Sequence, residues 1–231
     1  MKNNILVPVT LLLMAKLLPS CDSKNNDTEQ NQTGYSTSEM NRSDSIKAVQ
    51  LKAKTAMAQV LNNTDVKMNE KMMTGDFDCD FADIMTTHHQ EAIDISEIEI
   101  LRGNDTELKS IAQTILDSQK NDITELGQFV ENYRIIDPEK QKYDPHYELT
   151  ETMKMMVKKM NSLKMTGNSD NDFVALMIPH HQSGLEMAKD EISHGKNSKI
   201  KKIAQNIVEV QSKELNAFKS WKSSFSYSLA K

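Results

Sequence analysis

The sequence predicts an all-α protein, a helical bundle made of two internal repeats of about three helices each. Its 231 residues include only 7 Gly and 5 Pro, and aromatic residues make up 5%, a composition that disfavours turn-rich sandwiches and barrels. Apolar residues recur instead at steps of three and four, the spacing of an amphipathic helix. The second half of the chain also repeats the first at an offset of 92 residues.

The repeat covers about sixty residues, and two copies are too few for a solenoid. Met73-Thr74-Gly75 matches Met165-Thr166-Gly167, and Asp80-Phe81 matches Asp172-Phe173. Two copies packed about a pseudo-twofold axis make a bundle in which equivalent positions face one another. Further matched pairs are Gly103 with Gly195, Gln119 with Gln211, and Asp122 with Glu214.

The helical domain is expected at 44–231, with repeat one at 44–134, a linker at 135–146 and repeat two at 147–222. The linker contains two Asp-Pro pairs, and the residue before a proline is disfavoured in a helix. We therefore expect the chain to break between the repeats.

Repeat one contains three helical stretches. The first carries the apolar residues of Ile46–Met68 on one face and should end near Gly75, a natural left-handed stop. Asp80 is a suitable N-cap for the second helix, which should end at the turn Gly103-Asn104. The third has its apolar face over Leu108–Val130.

Repeat two contains three more. The first spans Leu149–Leu163 and closes at Gly167. The second opens at Asp172 and ends at His194-Gly195. The last has the apolar residues of Ile200–Trp221 at helical spacing.

The first 21 residues resemble a bacterial lipoprotein signal peptide. Lys2 gives a positive start, and the apolar run Ile5–Leu13 is too short to span a bilayer. Leu18-Pro19-Ser20-Cys21 resembles a lipobox, in which the cysteine becomes the lipidated N-terminus, so Cys21 is the predicted lipid attachment site. Ordinary secretion and an uncleaved hydrophobic start are the alternatives. Lipidation of Cys21 would leave Cys79 as the only thiol, and the chain without an internal disulfide.

Residues 22–43 are rich in Asn, Asp, Ser, Thr and Gln, and are expected to form a flexible tether. A coil of this length has a mean reach of roughly 25 Å, enough to hold a domain clear of lipid headgroups. The predicted location is the bacterial cell envelope outside the cytoplasm, periplasmic or on the surface, with the membrane as a partner through the lipid anchor.

Four of the six histidines form two pairs that sit at the centre of the repeats. The stretches are Met85-Thr86-Thr87-His88-His89 and Met177-Ile178-Pro179-His180-His181. A methionine three and four residues before a histidine neighbours it on a helix. Thioether favours Cu(I), imidazole suits copper in either oxidation state, and zinc would more usually want a thiolate or carboxylate, so the pattern indicates a copper site.

Adjacent residues of a helix point about 100° apart, so the two members of a pair cannot aim at one point. We expect His88 and His180 to face the bundle centre. The alternative to a metal site is a buried histidine–carboxylate or histidine–glutamine network, with Gln119 and Gln211 as partners. Asp94 and Glu186 are expected to be outer partners of the histidines or surface charges. Met153, Met156 and Met160 are expected to pack in the core, and Cys79 is a weak candidate ligand.

The sequence lacks the charge pattern of a nucleic-acid-binding protein and the motifs of several enzyme classes. The net charge of -5 gives no reason to expect a nucleic-acid partner, since phosphate binding needs clustered Lys and Arg. A di-iron carboxylate site needs two Glu-x-x-His pairs, whereas only Glu191-Ile192-Ser193-His194 fits. The chain has no phosphate loop, nucleophile elbow or His-Glu-x-x-His motif, so we do not expect an enzyme.

Asp80-Phe81 and Met85–Ile95 in the first copy correspond to Asp172-Phe173 and Met177–Ala188 in the second. These stretches resemble the signature of the domain of unknown function (DUF) 305 family, and the likeness covers most of Met68–Trp221. The resemblance implies a ferritin-like, all-helical bundle, often in exported proteins. CopM-like members of the family bind copper outside the cytoplasm through His and Met.

Carried over position by position, the resemblance implies a set of metal ligands in both copies. Ile95 stands where the family often has Met, and Thr87 where it has Pro, so the first copy departs from the pattern. The implied ligands are His88, His89, His180, His181, Met85, Met177 and Met187.

The sequence therefore predicts an envelope-anchored protein that binds copper for sequestration, buffering or delivery outside the cytoplasm. The alternative is a non-metal helical module that binds a partner protein or small ligand in the envelope. An envelope protein or a second copy of the chain are the candidate protein partners.

Overall fold

The computed structural model describes residues 37–71, 73–133 and 147–228, and within these ranges every regular element is a helix. The all-α class is therefore confirmed. The predicted signal peptide with Cys21, the tether up to residue 36 and the whole predicted linker at 135–146 lie outside the described residues. The helices are α1 (Thr37–Asn69), α2 (Phe77–Arg102), α3 (Thr106–Tyr133), α4 (Tyr147–Asn161), α5 (Ser169–His194) and α6 (Ser198–Ser228).

Two helices extend beyond the predicted boundaries. α1 begins at Thr37, so residues 37–43 are helical and not part of a flexible tether. At the other end α6 continues to Ser228, past the predicted end of repeat two at 222. Once a helix is nucleated, each further residue adds a hydrogen bond at little cost, so a polar flank can continue it without an apolar face.

The second helix of each repeat begins earlier than predicted. Asp76 is the N-cap of α2 and accepts a hydrogen bond from the Cys79 amide at 3.1 Å, so the prediction of Asp80 was wrong. Asp80 instead accepts from the Thr74 and Gly75 amides, at 2.6 and 3.0 Å. Gly75 has a φ of 81°, in the left-handed region that favours glycine. Asn168, Asp172, Thr166 and Gly167 repeat this arrangement before α5.

The two long helices α2 and α5 pack against each other at the centre of the bundle. α3 and α1 cover α2, and α6 and α4 cover α5. α1 is buried only in its second half, from Ala53 onward, whereas Ile46 and Val49 are each 50% exposed although the period placed them on the buried face. None of the helices, as far as they are described, is long and apolar enough to cross a bilayer.

A symmetric pair of carboxylates joins the two repeats. Asp78 at the start of α2 accepts from the backbone amides of Lys196 and Asn197, at 3.0 and 2.8 Å, in the loop before α6. Asp170, its counterpart at the start of α5, accepts from the amides of Asn104 and Asp105, at 2.8 and 2.9 Å, before α3. Each repeat therefore caps the loop before the third helix of the other repeat.

A buried glutamate lies beside each of these caps. Burial raises the pKa of Glu99 to about 8 and that of Glu191 to about 9, and the neighbouring carboxyl groups of Asp170 and Asp78 act in the same direction. Both glutamates therefore hold a proton at neutral pH. The Ser169 hydroxyl donates to Glu99 at 2.7 Å, which adds a further link between α5 and α2.

Candidate metal centre

The four paired histidines lie in the middle of α2 and α5, where the two helices cross. His88, His89, His180 and His181 are all 0% exposed. The duplication in the sequence thus becomes a single buried cluster, because the pseudo-twofold relation brings the same turn of α2 and α5 together. Burial of four imidazoles in one core requires that each ring find polar partners.

His88 and His180 contact each other across the repeats. Their ring centroids are 3.7 Å apart and the planes are tilted by 31°. Nε2 of His88 lies 3.0 Å from the backbone oxygen of His180, and Nε2 of His180 lies 2.9 Å from that of His88. Since a carbonyl oxygen only accepts, Nε2 carries the proton in both rings. The expectation that these two histidines face the bundle centre is confirmed.

His89 and His181 point to the outer helices instead. Nε2 of His89 is 3.2 Å from the carboxylate of Asp122 on α3, and Nε2 of His181 is 3.0 Å from that of Glu214 on α6. A carboxylate oxygen accepts, so Nε2 is the donor in both contacts. The buried histidine–carboxylate network that the sequence left open therefore exists.

The four Nδ1 atoms are the remaining nitrogens of these rings. All four are buried, and none has a hydrogen-bond partner among the described residues. A histidine that donates one N–H to a carboxylate or carbonyl and keeps the other nitrogen free has the arrangement usual for metal ligands. Burial, and then repulsion between neighbouring imidazolium charges, holds the pKa values of His88 and His180 well below the ordinary range, so these rings are neutral.

The three predicted thioether ligands lie in the same core. Met85, Met177 and Met187 are each 0% exposed. Side chains on a helix lean toward its N-terminus, which directs each histidine pair toward the methionine one turn before it. Met187 has Ile95 as its counterpart, also buried, so repeat two has one thioether more than repeat one.

This donor set fits a soft monovalent ion better than zinc. Among the residues that the structure describes, no three His, Cys, Asp or Glu side chains are placed to hold a metal ion. Imidazole Nδ1 atoms and thioethers are the remaining donors, and together they suit Cu(I) or a similar soft cation. Burial and the nearby Asp76 raise the pKa of Cys79 to about 12, so its thiol is poorly suited to ligation at neutral pH.

The predicted histidine–glutamine network is not present among the described residues. The side-chain amides of Gln119 and Gln211 are buried, but in the described part of the chain they make no hydrogen bond to the histidines or to other groups. Gln211 still lies close to the cluster, because a Cβ added to Gly184 would meet its Oε1 at 2.4 Å and His88 Cε1 at 2.9 Å.

Glu91 breaks the symmetry of the cluster. Its carboxylate lies 3.8 Å from Nε2 of His180, and its counterpart in repeat two is Ser183. Burial raises the pKa of Glu91 to about 8, so the carboxyl is protonated at neutral pH. The two halves of the centre therefore differ in a group that lies directly beside the imidazoles.

Other residues singled out in the sequence lie away from the histidine nitrogens. Asp94 accepts from Gln90 at 2.7 Å at the edge of the bundle, and Glu186 is exposed. The methionines Met153, Met156 and Met160 are buried in the core of α4, as predicted. Asp122 and Glu214 are the histidine partners that the sequence did not assign, although the common 33-residue spacing to His89 and His181 could have indicated them.

The family profile of the domain of unknown function DUF305 matches the chain twice, over residues 14–130 and 131–222. The chain belongs to the DUF305 family. Among curated proteins, none matches it.

Solved structures of other proteins share this fold. The silver-bound form of CopM, obtained by soaking, has 27% sequence identity and a TM-score of 0.50, and covers 64% of this chain and 96% of its own. The Cu(II)-bound form of CopM has the same identity and TM-score and covers 64% and 97%. A DUF305 protein of Streptomyces coelicolor, described as secreted, has 25% identity and a TM-score of 0.50, and covers 63% and 91%.

Proposed function

We propose that this DUF305 protein binds copper, as Cu(I), at the buried centre between its repeats. The observation that carries the proposal is the set of four buried Nδ1 atoms without hydrogen-bond partners in the described core. Leaving polar atoms buried and unpaired is costly, and a bound ion would supply the missing partner. Three thioethers buried in the core of the same helices favour a soft ion.

The family relation supports the same chemistry. CopM, which has been solved with silver and with Cu(II) bound, shares about a quarter of its sequence with this chain over nearly its whole length. In the present chain His88, His89, His180 and His181 would supply nitrogen, and Met85, Met177 and Met187 sulfur. Asp122 and Glu214 would hold the two outer rings in the tautomer that leaves Nδ1 free.

We infer binding rather than catalysis, and the burial of the ligands supports this. An ion held in a closed core is kept from side reactions and from other ligands, which suits sequestration, buffering or delivery. We place this role outside the cytoplasm, on a protein attached to the envelope through a lipid at Cys21. Mass spectrometry of the mature protein should show acylated Cys21, and an unmodified cysteine would refute the anchor.

Metal retention tests the proposal. The full chain with Cys21→Ser is loaded with Cu(I), Ag(I) or Cu(II), dialysed, and its bound metal is counted. We expect Cu(I) and Ag(I) to be retained, and to be lost when all four paired histidines are changed to alanine. Equal metal in the two proteins, or none in either, would contradict the proposal, and circular dichroism checks that the variant remains helical.

A second candidate is a non-metal binding module. A cavity of about 270 Å³ lies beside the first half of α1 and is lined by Ile46, Val49 and Asn104, two of them exposed apolar residues. Such a surface suits an apolar group of a partner or small ligand. Retention of metal by the wild-type chain alone would favour the first candidate.

A further inference from the structure

The four paired histidines are 0% exposed, so an ion needs a route from solvent to the ring nitrogens. A cleft of about 490 Å³ opens between α4 and α5, and Met155, Met156, Pro179 and Ser183 are part of its lining. We propose that this cleft is the entry route to His88, with Met155 as the first thioether that an incoming soft cation meets. The route rests on the metal-binding function proposed above.

Ser183 separates the cleft from His88. Ser183 is 4% exposed, and its hydroxyl makes no hydrogen bond within the described chain. The next residue, Gly184, lies directly against His88, since a Cβ added to it would be 2.9 Å from the ring carbon Cε1. Consecutive residues of α5 thus contact the cleft and the imidazole, and one position separates the two.

The equivalent position of repeat one is filled. Glu91 stands in the place of Ser183, and its carboxylate extends to 3.8 Å from Nε2 of His180. Thr64 of α1 stands in the place that Met156 of α4 has in repeat two, and it is buried. A serine side chain is two carbons shorter than a glutamate, and at this position Ser183 and Met156 line the cleft. Access is therefore expected from the side of α4 and not from that of α1.

The composition of the cleft favours a soft ion over a hard one. Met155 is 60% exposed and Met156 only 3%, so thioethers stand both at the mouth and at the base. Lys159 and Lys189 line the cleft together with a single acid, Glu186. This opening has no excess of negative charge to attract hard divalent cations, whereas neutral sulfur binds Cu(I) and Ag(I).

The test blocks the mouth of the cleft in the full chain carrying Cys21→Ser. Cys79 is then the only native thiol, and its 2% exposure and raised pKa protect it from alkylation. Met155→Cys places a reactive thiol at the mouth. Leu101→Cys, at a residue 75% exposed on α2, is the matched control. Both variants are labelled with the same bulky maleimide.

Two rates are then compared between the labelled proteins. One is the uptake of Cu(I) from a coloured chelator, and the other, without metal, is the carbethoxylation of His88 by diethyl pyrocarbonate. We expect the label at position 155 to slow both by at least about tenfold relative to the label at position 101, with the same final metal content.

The experiment distinguishes a wrong entry route from a wrong metal-binding function. Equal uptake and modification rates in the two labelled proteins, at equal final metal content, would overturn the entry route and leave metal binding intact. Retention of no copper by either labelled protein or by the unlabelled chain would overturn the proposed function, and the route with it.

Discussion

His88 and His180 donate their Nε2 protons to each other's backbone carbonyl oxygens, at 3.0 and 2.9 Å. This reciprocal pair fixes the tautomer of both rings and exists only when α2 and α5 are docked. Each repeat therefore sets the protonation state of the other repeat's central histidine. The candidate site is a property of the folded pair of repeats and not of either His-His stretch alone.

Asp122 and Glu214 are expected to determine how tightly the outer histidines bind metal. Asp122→Asn and Glu214→Gln introduce an amide that can donate to Nε2, which would shift the proton to Nδ1 and remove its lone pair. We expect the double variant to bind Cu(I) about 10- to 100-fold more weakly, as measured by chelator competition. Asp94→Asn, at a carboxylate that accepts from Gln90, is the control and should bind like the wild type.

If thioethers bind the metal, replacing Met85 and Met177 should weaken metal binding, whereas replacing buried methionines of α4 should not. Met85→Leu with Met177→Leu conserves volume but removes sulfur from the cluster, so the variant should stay folded and lose affinity for Ag(I) by at least about tenfold. Met153→Leu with Met160→Leu makes the same exchange in the core of α4 and should retain wild-type affinity. Equal losses in both pairs would show that the effect comes from packing.

Gly184 is required by a close approach and not by backbone conformation. A Cβ there would meet Gln211 Oε1 at 2.4 Å and His88 Cε1 at 2.9 Å, so Gly184→Ala must displace the histidine or the glutamine. We expect a loss of about 1–3 kcal/mol in the free energy of unfolding and weaker metal binding. Gly127→Ala on α3 has nothing within 4 Å of the new methyl group, and should stabilise the helix by about 0.5–1 kcal/mol.

The buried glutamates predict that stability falls toward alkaline pH. The pKa values of Glu99 and Glu191 rise to about 8 and about 9 in the folded chain, so the folded state binds protons that the unfolded state releases. Their contribution is fully present below the ordinary glutamate pKa, and is lost as the pH rises through the folded values. Each ionising group changes the free energy of unfolding by roughly 1.4 kcal/mol per pH unit within that window.

Urea unfolding at a series of pH values measures this dependence. Glu99→Gln with Glu191→Gln keeps the shape of the protonated carboxyl and should make the decline between about pH 5 and about pH 9 shallower, with Glu91 still contributing to it. The matched control is Glu209→Gln, at an exposed residue whose pKa is lowered by Lys213, and it should leave the alkaline decline unchanged. A decline as steep in the double variant as in the wild type would exclude these two groups as its cause.

Sequence reasoning located the histidines and the repeat because both depend on spacing alone. An offset of 92 residues and a period of three to four suffice to predict that His88 and His180 meet. The partners Asp122 and Glu214 lie 33 residues away on other helices, and helical period does not define which side chains of neighbouring helices come into contact. Gln119 and Gln211 were equally plausible partners, and the structure leaves both without a hydrogen bond to the histidines.

The errors in helix boundaries have a similar origin. Asp76 and Asp80 are both acidic residues before an apolar run, and only the left-handed turn at Gly75 assigns the cap to the first and the loop contacts to the second. Thr37 begins α1 within a polar segment because helix propagation needs no apolar face there.

Nitrogen-15 NMR of the imidazoles tests the central claim most directly. In the metal-free chain, the four paired histidines should show a protonated Nε2 and an unprotonated Nδ1. On addition of Ag(I), we expect the Nδ1 resonances of at least one pair to shift while Nε2 keeps its proton. A proton on Nδ1 in the metal-free chain, or a response to Ag(I) at Nε2 alone, would contradict the account.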